Sequence, residues 1–94
     1  MAETIDEITI AYEEDGVLLV KELDKEILTR GAWTTIIFKY QSWDKKTESY
    51  SDVAFSIRRY HKIQGQYMQQ SKFTVSNGKQ AQQIIDTLTK WLKE

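Results

Sequence analysis

The stretch from Val53 to Val75, VAFSIRRYHKIQGQYMQQSKFTV, constrains the fold more than any other part of the 94-residue chain. Its β-branched and aromatic residues around Gln64 and Gly65 predict two strands folded on each other at a tight turn. Side chains on a strand alternate between two faces. Val53, Phe55 and Ile57 are therefore expected to face a core, with Ser56, Arg58 and Tyr60 turned away from it. In the second strand Phe73 and Val75 share one face, while Lys72 and Thr74 share the other. The hairpin reads as a surface with one oily side and one side of cations, hydroxyls and an aromatic ring.

Residues 1–15 carry only a weak pattern: Ile5, Ile8 and Ile10 spell a short edge strand, but the acids around them predict a frayed, mobile segment. The remainder, 16–94, reads as one domain. Val17 to Leu23 has the content of a strand, with a polar turn expected at Asp24 to Glu26. Ala32 to Trp43 is the longest strand candidate. Ala32, Thr34, Ile36, Phe38 and Tyr40 form its better core face, which leaves Trp33, Thr35, Ile37, Lys39, Gln41 and Trp43 on the other. Two readings of Trp33 and Trp43 stand side by side. Large aromatics are buried on average, which places them under the N-terminal segment or in a subunit contact, whereas exposed rings serve as stacking surfaces for bases. Asp44 to Ser51 is a charged hairpin loop with Lys45 and Lys46 at its tip.

After Asn77, Ala81, Ile84, Ile85, Leu88, Trp91 and Leu92 recur at three- and four-residue spacing, the pattern of an amphipathic helix. Asn77 is placed to cap it, with Gln80 in the capping-box position and Lys90 and Lys93 at the negative end of the helix dipole. Strands followed by one helix predict an α+β fold: a four-stranded antiparallel curved sheet with the helix packed across one face. One helix covers only part of such a sheet, and Trp91 is a large apolar group to leave at a rim. A two-fold homodimer joined through Ile84, Leu88, Trp91 and Leu92 is expected, against a monomer with Trp91 tucked under Ile27 and Leu28.

The formal charge of −1 conceals a division. Up to Glu26 there are nine acids against Lys21 and Lys25, a net of −7; from Ile27 onward eleven bases face five acids, a net of +6. Segregated charge concerns partners and steering rather than fold. An ordinary solvated acidic head is one reading; a basic body that binds a polyanion is the other. There is no cysteine and a single histidine, so disulfide and cysteine–histidine metal sites are not expected, nor any cofactor. No apolar run reaches the roughly 20 residues of a membrane span, and the acidic start does not read as a signal peptide. The expectation is a cytoplasmic protein, nucleoid-associated in a bacterium, with no membrane partner.

SIRRYH, a short turn and QSKFTVS leading into an amphipathic helix resemble the C-terminal domain of the positive cofactor four family of transcriptional coactivators and its bacterial relatives. That family's pattern is a strand of the kind D-I-R-x-Y-W, a glycine-containing turn, R/K-G-I-S-L and a helix, and the likeness runs roughly from Ala32 to Leu92. Ile57, Arg58 and Tyr60 match the strand, and Lys72, Phe73 and Val75 match the segment before the helix. The chain departs from the pattern at His61, where the family has tryptophan, and at Ser56, where it has an acid. The resemblance implies dimerisation through the helix and binding of single-stranded DNA across the exposed sheet.

The residues themselves point the same way. Arg58, Lys72 and Lys39 offer cations to a phosphate backbone, Tyr60, Trp33 and Trp43 offer flat surfaces to unstacked bases, and Gln41, Gln70, Ser56 and Thr35 offer hydrogen bonds. None forms a base-reading array, so little sequence preference is expected. Single-stranded RNA meets the same contacts unless a group reads the 2′-hydroxyl. No Gly-rich phosphate loop, paired nucleophile and base, or metal-ligand cluster is present, so neither catalysis nor a small-molecule substrate is expected. A dimeric protein-binding module built on exposed aromatics is the competing class.

Overall fold

The structure is a computed structural model and describes residues 2–94. A single 3₁₀ turn, Ile5–Glu7, leads into six strands and one helix: β1 (Tyr12–Glu14), β2 (Val17–Thr29), β3 (Trp33–Asp44), β4 (Ser49–Tyr50), β5 (Ala54–Ile63), β6 (Gln66–Val75) and α1 (Gly78–Leu92). The strands form one antiparallel sheet in the order β1-β2-β3-β5-β6, with β4 paired to β3, curled into a half-barrel. The fold is α+β as expected, but with six strands rather than four; the additional two are short flaps on the long β2–β3 ribbon.

Local chemistry accounts for the hairpins. Asp15–Gly16 and Gln64–Gly65 take φ values of 52° and 79°, and of 50° and 81°. Positive φ at both central residues matches the right-handed twist of the flanking strands, and glycine carries the second position without steric cost. The polar turn expected at Asp24 to Glu26 does not form. β2 runs through it to Thr29, and the register slips between Glu22 and Asp24 instead. A bulge absorbs one extra residue there, which lets a charged run stay in a strand.

Residues directly opposite each other on paired strands share a face. Ile36 stands opposite Arg58, Phe38 opposite Ser56, and Thr34 opposite Tyr60. The core face of β3 therefore continues onto β5 through Ser56, Arg58 and Tyr60, the residues expected on the uncovered side. This corrects the alternation read for β5: Ser56 and Tyr60 are buried, whereas Phe55 and Ile57 are only half-buried on the opposite face. A strand whose two faces are both partly apolar cannot be oriented by counting alone.

The inner face is covered by the N-terminal segment. Ile8 and Ile10 are 3% and 8% exposed and pack with Ile36, Phe38 and Tyr60, while Ala2, Ile5, Val20, Ile27, Tyr40 and Tyr67 close around them. Where its acids predicted a frayed edge, the segment instead lies as a strap from one sheet edge to the other. Ala2 bridges to Tyr67 on β6, and β1 pairs with β2. Polar anchors hold it between these ends: the Lys25 ammonium donates to the Asp6 and Ile8 carbonyls at 2.9 and 2.6 Å, and a Glu22 carboxylate oxygen accepts from the Thr9 hydroxyl and the Ile10 N–H at 2.8 and 3.1 Å.

α1 begins as predicted, with the Asn77 side chain accepting from the Gln80 N–H at 2.8 Å; the Gln80 side chain reaches the Ser76 N–H rather than completing a box on Asn77. The helix does not lie across the sheet. None of its residues is buried, and its main contact is with β6.

Ile8→Ala is expected to lower unfolding stability by about 2–5 kcal/mol, since it removes a buried branched side chain that packs with Ile10, Ile36, Phe38 and Tyr60. Urea denaturation checks this; an unchanged midpoint would mean that the strap does not close the core.

Candidate functional site

Three groups of chemistry-bearing side chains emerge from this register. On the inner face Arg58 and Lys72 stand directly opposite each other on β5 and β6. Arg58 donates from Nε to the Ser56 hydroxyl at 3.0 Å and from one terminal nitrogen to the Gln69 side-chain oxygen at 2.9 Å. Both acceptors are neutral. Ser56 is fully buried and serves to orient Arg58 rather than to meet a ligand. Further along β5 on the same face, Lys62 stands opposite Tyr67, its ammonium 5.5 Å from the ring centroid. Arg58, Lys72, Gln69, Lys62 and Tyr67 thus border the strap along the β5–β6 side.

Tyr60 lies between these groups but under the strap, 6% exposed. Burial pushes its hydroxyl above the ordinary tyrosine range, against the opposing pull of the Arg58 guanidinium. Gln70 is the extra residue of a bulge in β6, between the Arg59–Ser71 and Tyr60–Gln69 pairs, and its amide donates to the Met68 carbonyl at 3.1 Å.

The outer face holds the other expected residues, Trp33, Thr35, Lys39, Gln41 and Trp43. They are not brought together with Arg58 and Lys72; the sheet itself separates the two sets. Trp33, 45% exposed, already has partners: the His61 ring stacks on it at 4.2 Å and 8°, and the Arg59 guanidinium carbon lies 4.6 Å from its centroid. Trp43 meets Tyr50 edge to face at 5.0 Å and, with Val17 and Leu19, walls a cavity of about 310 Å³ at the end of the β2–β3 ribbon. The Gln41 amide donates to the Ser51 carbonyl at 3.0 Å, and the Thr35 N–H donates to the Thr29 hydroxyl at 2.9 Å. Lys39 is exposed.

The third group is apolar. Ile37, Ile57 and Phe73 form a row across β3, β5 and β6 on the outer face, and Phe73 is 56% exposed. Beside it Phe73, Ile84, Leu88 and Trp91 line a groove of about 340 Å³ between β6 and α1, with Trp91 60% exposed and Leu92 86% exposed. Exposed apolar surface of this extent on a small chain is unusual without a partner.

Lys62, Tyr67 and Gln69 belong to these groups and were not singled out from the sequence, and the pairing of Arg59 and His61 with Trp33 was not foreseen. The signal that finds them is cross-strand register: once Trp33 is known to oppose His61, and Lys62 to oppose Tyr67, the pairs follow.

The architecture defines the class of protein: an α+β chain of one curled antiparallel sheet, a strap over its inner face, and a C-terminal helix whose apolar stripe is uncovered. No family model matches the chain, and neither a curated protein nor a solved structure matches it. Among the described residues no group of three or more His, Cys, Asp or Glu side chains is placed to hold a metal, and no helix is long and apolar enough to cross a membrane.

Tyr60 is expected to ionise later than the exposed tyrosines. Because its folded-state value is raised, the stability it contributes is fully present below pH 10.0 and is lost as the pH climbs through the folded value. An ultraviolet titration of phenolate absorbance, wild type against Tyr60→Phe, checks this; the late-ionising component should be the one that the substitution removes.

Proposed function

We propose that the protein binds single-stranded nucleic acid, single-stranded DNA foremost, as a homodimer, in the manner of the positive cofactor four family that its β5–β6–α1 segment resembles. The observation that carries the reading is the pair Arg58 and Lys72. Like charges directly opposite each other in a sheet cost stability, and here Arg58 is held by two neutral side chains rather than by a carboxylate. A phosphate backbone running along β5 and β6 relieves that repulsion. Lys62 extends the cationic track on the same face, and Tyr67 supplies a ring beside it. Phosphate contacts and stacking are sequence-tolerant, so most of the track accepts any base. The reading makes the protein a DNA-maintenance or transcription cofactor of the cytoplasm or nucleoid rather than an enzyme.

Dimerisation gives the third group a use. Two copies related by a two-fold axis cover each other's Ile84, Leu88, Trp91 and Leu92, and the outer row through Phe73 lies beside that seam. This same surface supports the competing reading, a module that binds another protein. Salt separates the two, since polyanion binding weakens steeply with ionic strength and apolar docking does not.

Fluorescence anisotropy with a labelled oligothymidine at low and moderate salt is the test. Binding should be tight at low salt and poorly competed by duplex. Arg58→Gln and Lys72→Gln should each weaken it and reduce the logarithmic salt slope by about 0.7, the value for one lost single-strand phosphate contact. Absence of binding at low salt retires the proposal. Separately, light scattering should give twice the chain mass of 11.1 kDa, and Trp91→Ala with Leu88→Ala should return the mass to a single chain. A wild-type mass of one chain would remove the dimer.

A further inference from the structure

Between the strap and the inner face lies a cavity of about 360 Å³ lined by Ala2, Glu7, Ile8, Thr9, Tyr60 and Tyr67. Its size falls at the lower end of small-ligand sites, roughly 300–1,000 Å³. Its walls are held in place. The Tyr67 hydroxyl donates to the Gly31 carbonyl at 2.9 Å, and its N–H donates to the Ala2 carbonyl at 2.8 Å. Tyr60 is fixed in the core. Thr4 donates to Glu7 Oε1 from both its N–H, at 3.0 Å, and its hydroxyl, at 2.9 Å, so the carboxylate is oriented through one oxygen while the lone pairs of Oε2 remain for another donor. Those bonds, the side-chain one first, also keep the Glu7 carboxyl below the usual carboxylate range, and it is an acceptor at neutral pH.

Aromatic walls, a fixed carboxylate acceptor and the Lys62 ammonium next to Tyr67 are the parts that recognise one nucleotide: a surface for the base, a reader for its edge and a cation for its phosphate. We propose that this cavity takes a single unstacked base of the bound strand and that Glu7 reads its amino group, favouring cytosine, adenine or guanine over thymine or uracil at that position. The inference rests on the single-strand reading and deepens it.

The discrimination follows from donor and acceptor patterns. A carboxylate accepts from the cytosine amino group, and the same holds for the amino groups of adenine and guanine. Thymine and uracil present carbonyl oxygens on either side of their one N–H, and these oxygens repel an ionised carboxylate. A ring platform alone makes no such distinction, because every base has a π-face. The strap is then part of the site and not merely its cover, since Glu7 and Thr9 come from it.

The test compares oligodeoxycytidine and oligothymidine of equal length by anisotropy at neutral pH and low salt, with wild type and Glu7→Gln. Glutamine keeps an oxygen for the Thr4 bonds but adds a donor that thymine can use, so the fold is retained, as a thermal melt will show. Wild type should prefer the cytidine strand on the order of tenfold, the scale of one good base-edge contact, and Glu7→Gln should bring the ratio close to one. Equal affinities in wild type, or a preference that survives Glu7→Gln, overturn the pocket while leaving strand binding intact. If neither oligonucleotide binds, both readings fall together. Free deoxycytidine monophosphate that displaces the strand at equal nucleotide concentration would make the cavity a site for free nucleotide and overturn its assignment to a strand.

Discussion

Ile36 of β3 faces Arg58 of β5, and the orientation of every other side chain in the sheet follows from that pairing. It places the guanidinium on the same face as the core, at the margin of what Ile8 and Ile10 cover, so the molecule presents its cations beside a packed interior rather than on an open plane. A cation at such a margin is partly withdrawn from water, and Arg58 donates hydrogen bonds there to Ser56 and Gln69. Guanidinium suits this position because it is weakly hydrated and never gives up its proton.

The strap links the fold to the chemistry. It is acidic, yet its isoleucines complete the core, and its polar atoms are engaged by Lys25 and Glu22 on β2. The acidic strap thus crosses the inner face and reaches the β5–β6 side, where Glu7 lies beside Tyr60 and Tyr67. On the proposed reading, a polyanion is drawn to Arg58, Lys72 and Lys62 on β5 and β6, and Glu7 of the strap offers a hydrogen-bond acceptor beside them.

Much of the fold was legible because the relevant signals are local. The Gln64–Gly65 turn, the strand at Ala32 to Trp43 and the helix after Asn77 each follow from turn chemistry, alternation or three-to-four spacing within a few residues. What failed depended on distant residues. β5 carries Phe55 and Ile57 on one face and Tyr60 on the other, so its alternation has two solutions, and only the strap's isoleucines, some fifty residues earlier in the chain, decide between them. The packing of the strap is hidden from the sequence for the same reason: its acids are local and visible, whereas the surface that buries Ile8 and Ile10 is not. Of the candidate site, the shared face of the cation pair, Arg58 and Lys72 on β5 and β6, was legible, but not that it is the core face. The expectation that Trp33 and Trp43 share its face was not met, because it needed the β3–β5 register.

The edge-to-edge course of the strap has a kinetic consequence. Residues 2–10 leave the ribosome before any of the strands on which they rest, and Ala2 finds its partner Tyr67 only after most of the chain has been made. Closure of the interior is thus a late, long-range event that bears the full entropy of joining distant segments. Until then the nascent sheet displays Ile36, Phe38 and Tyr60 to its surroundings, apolar surface of the kind that promotes aggregation.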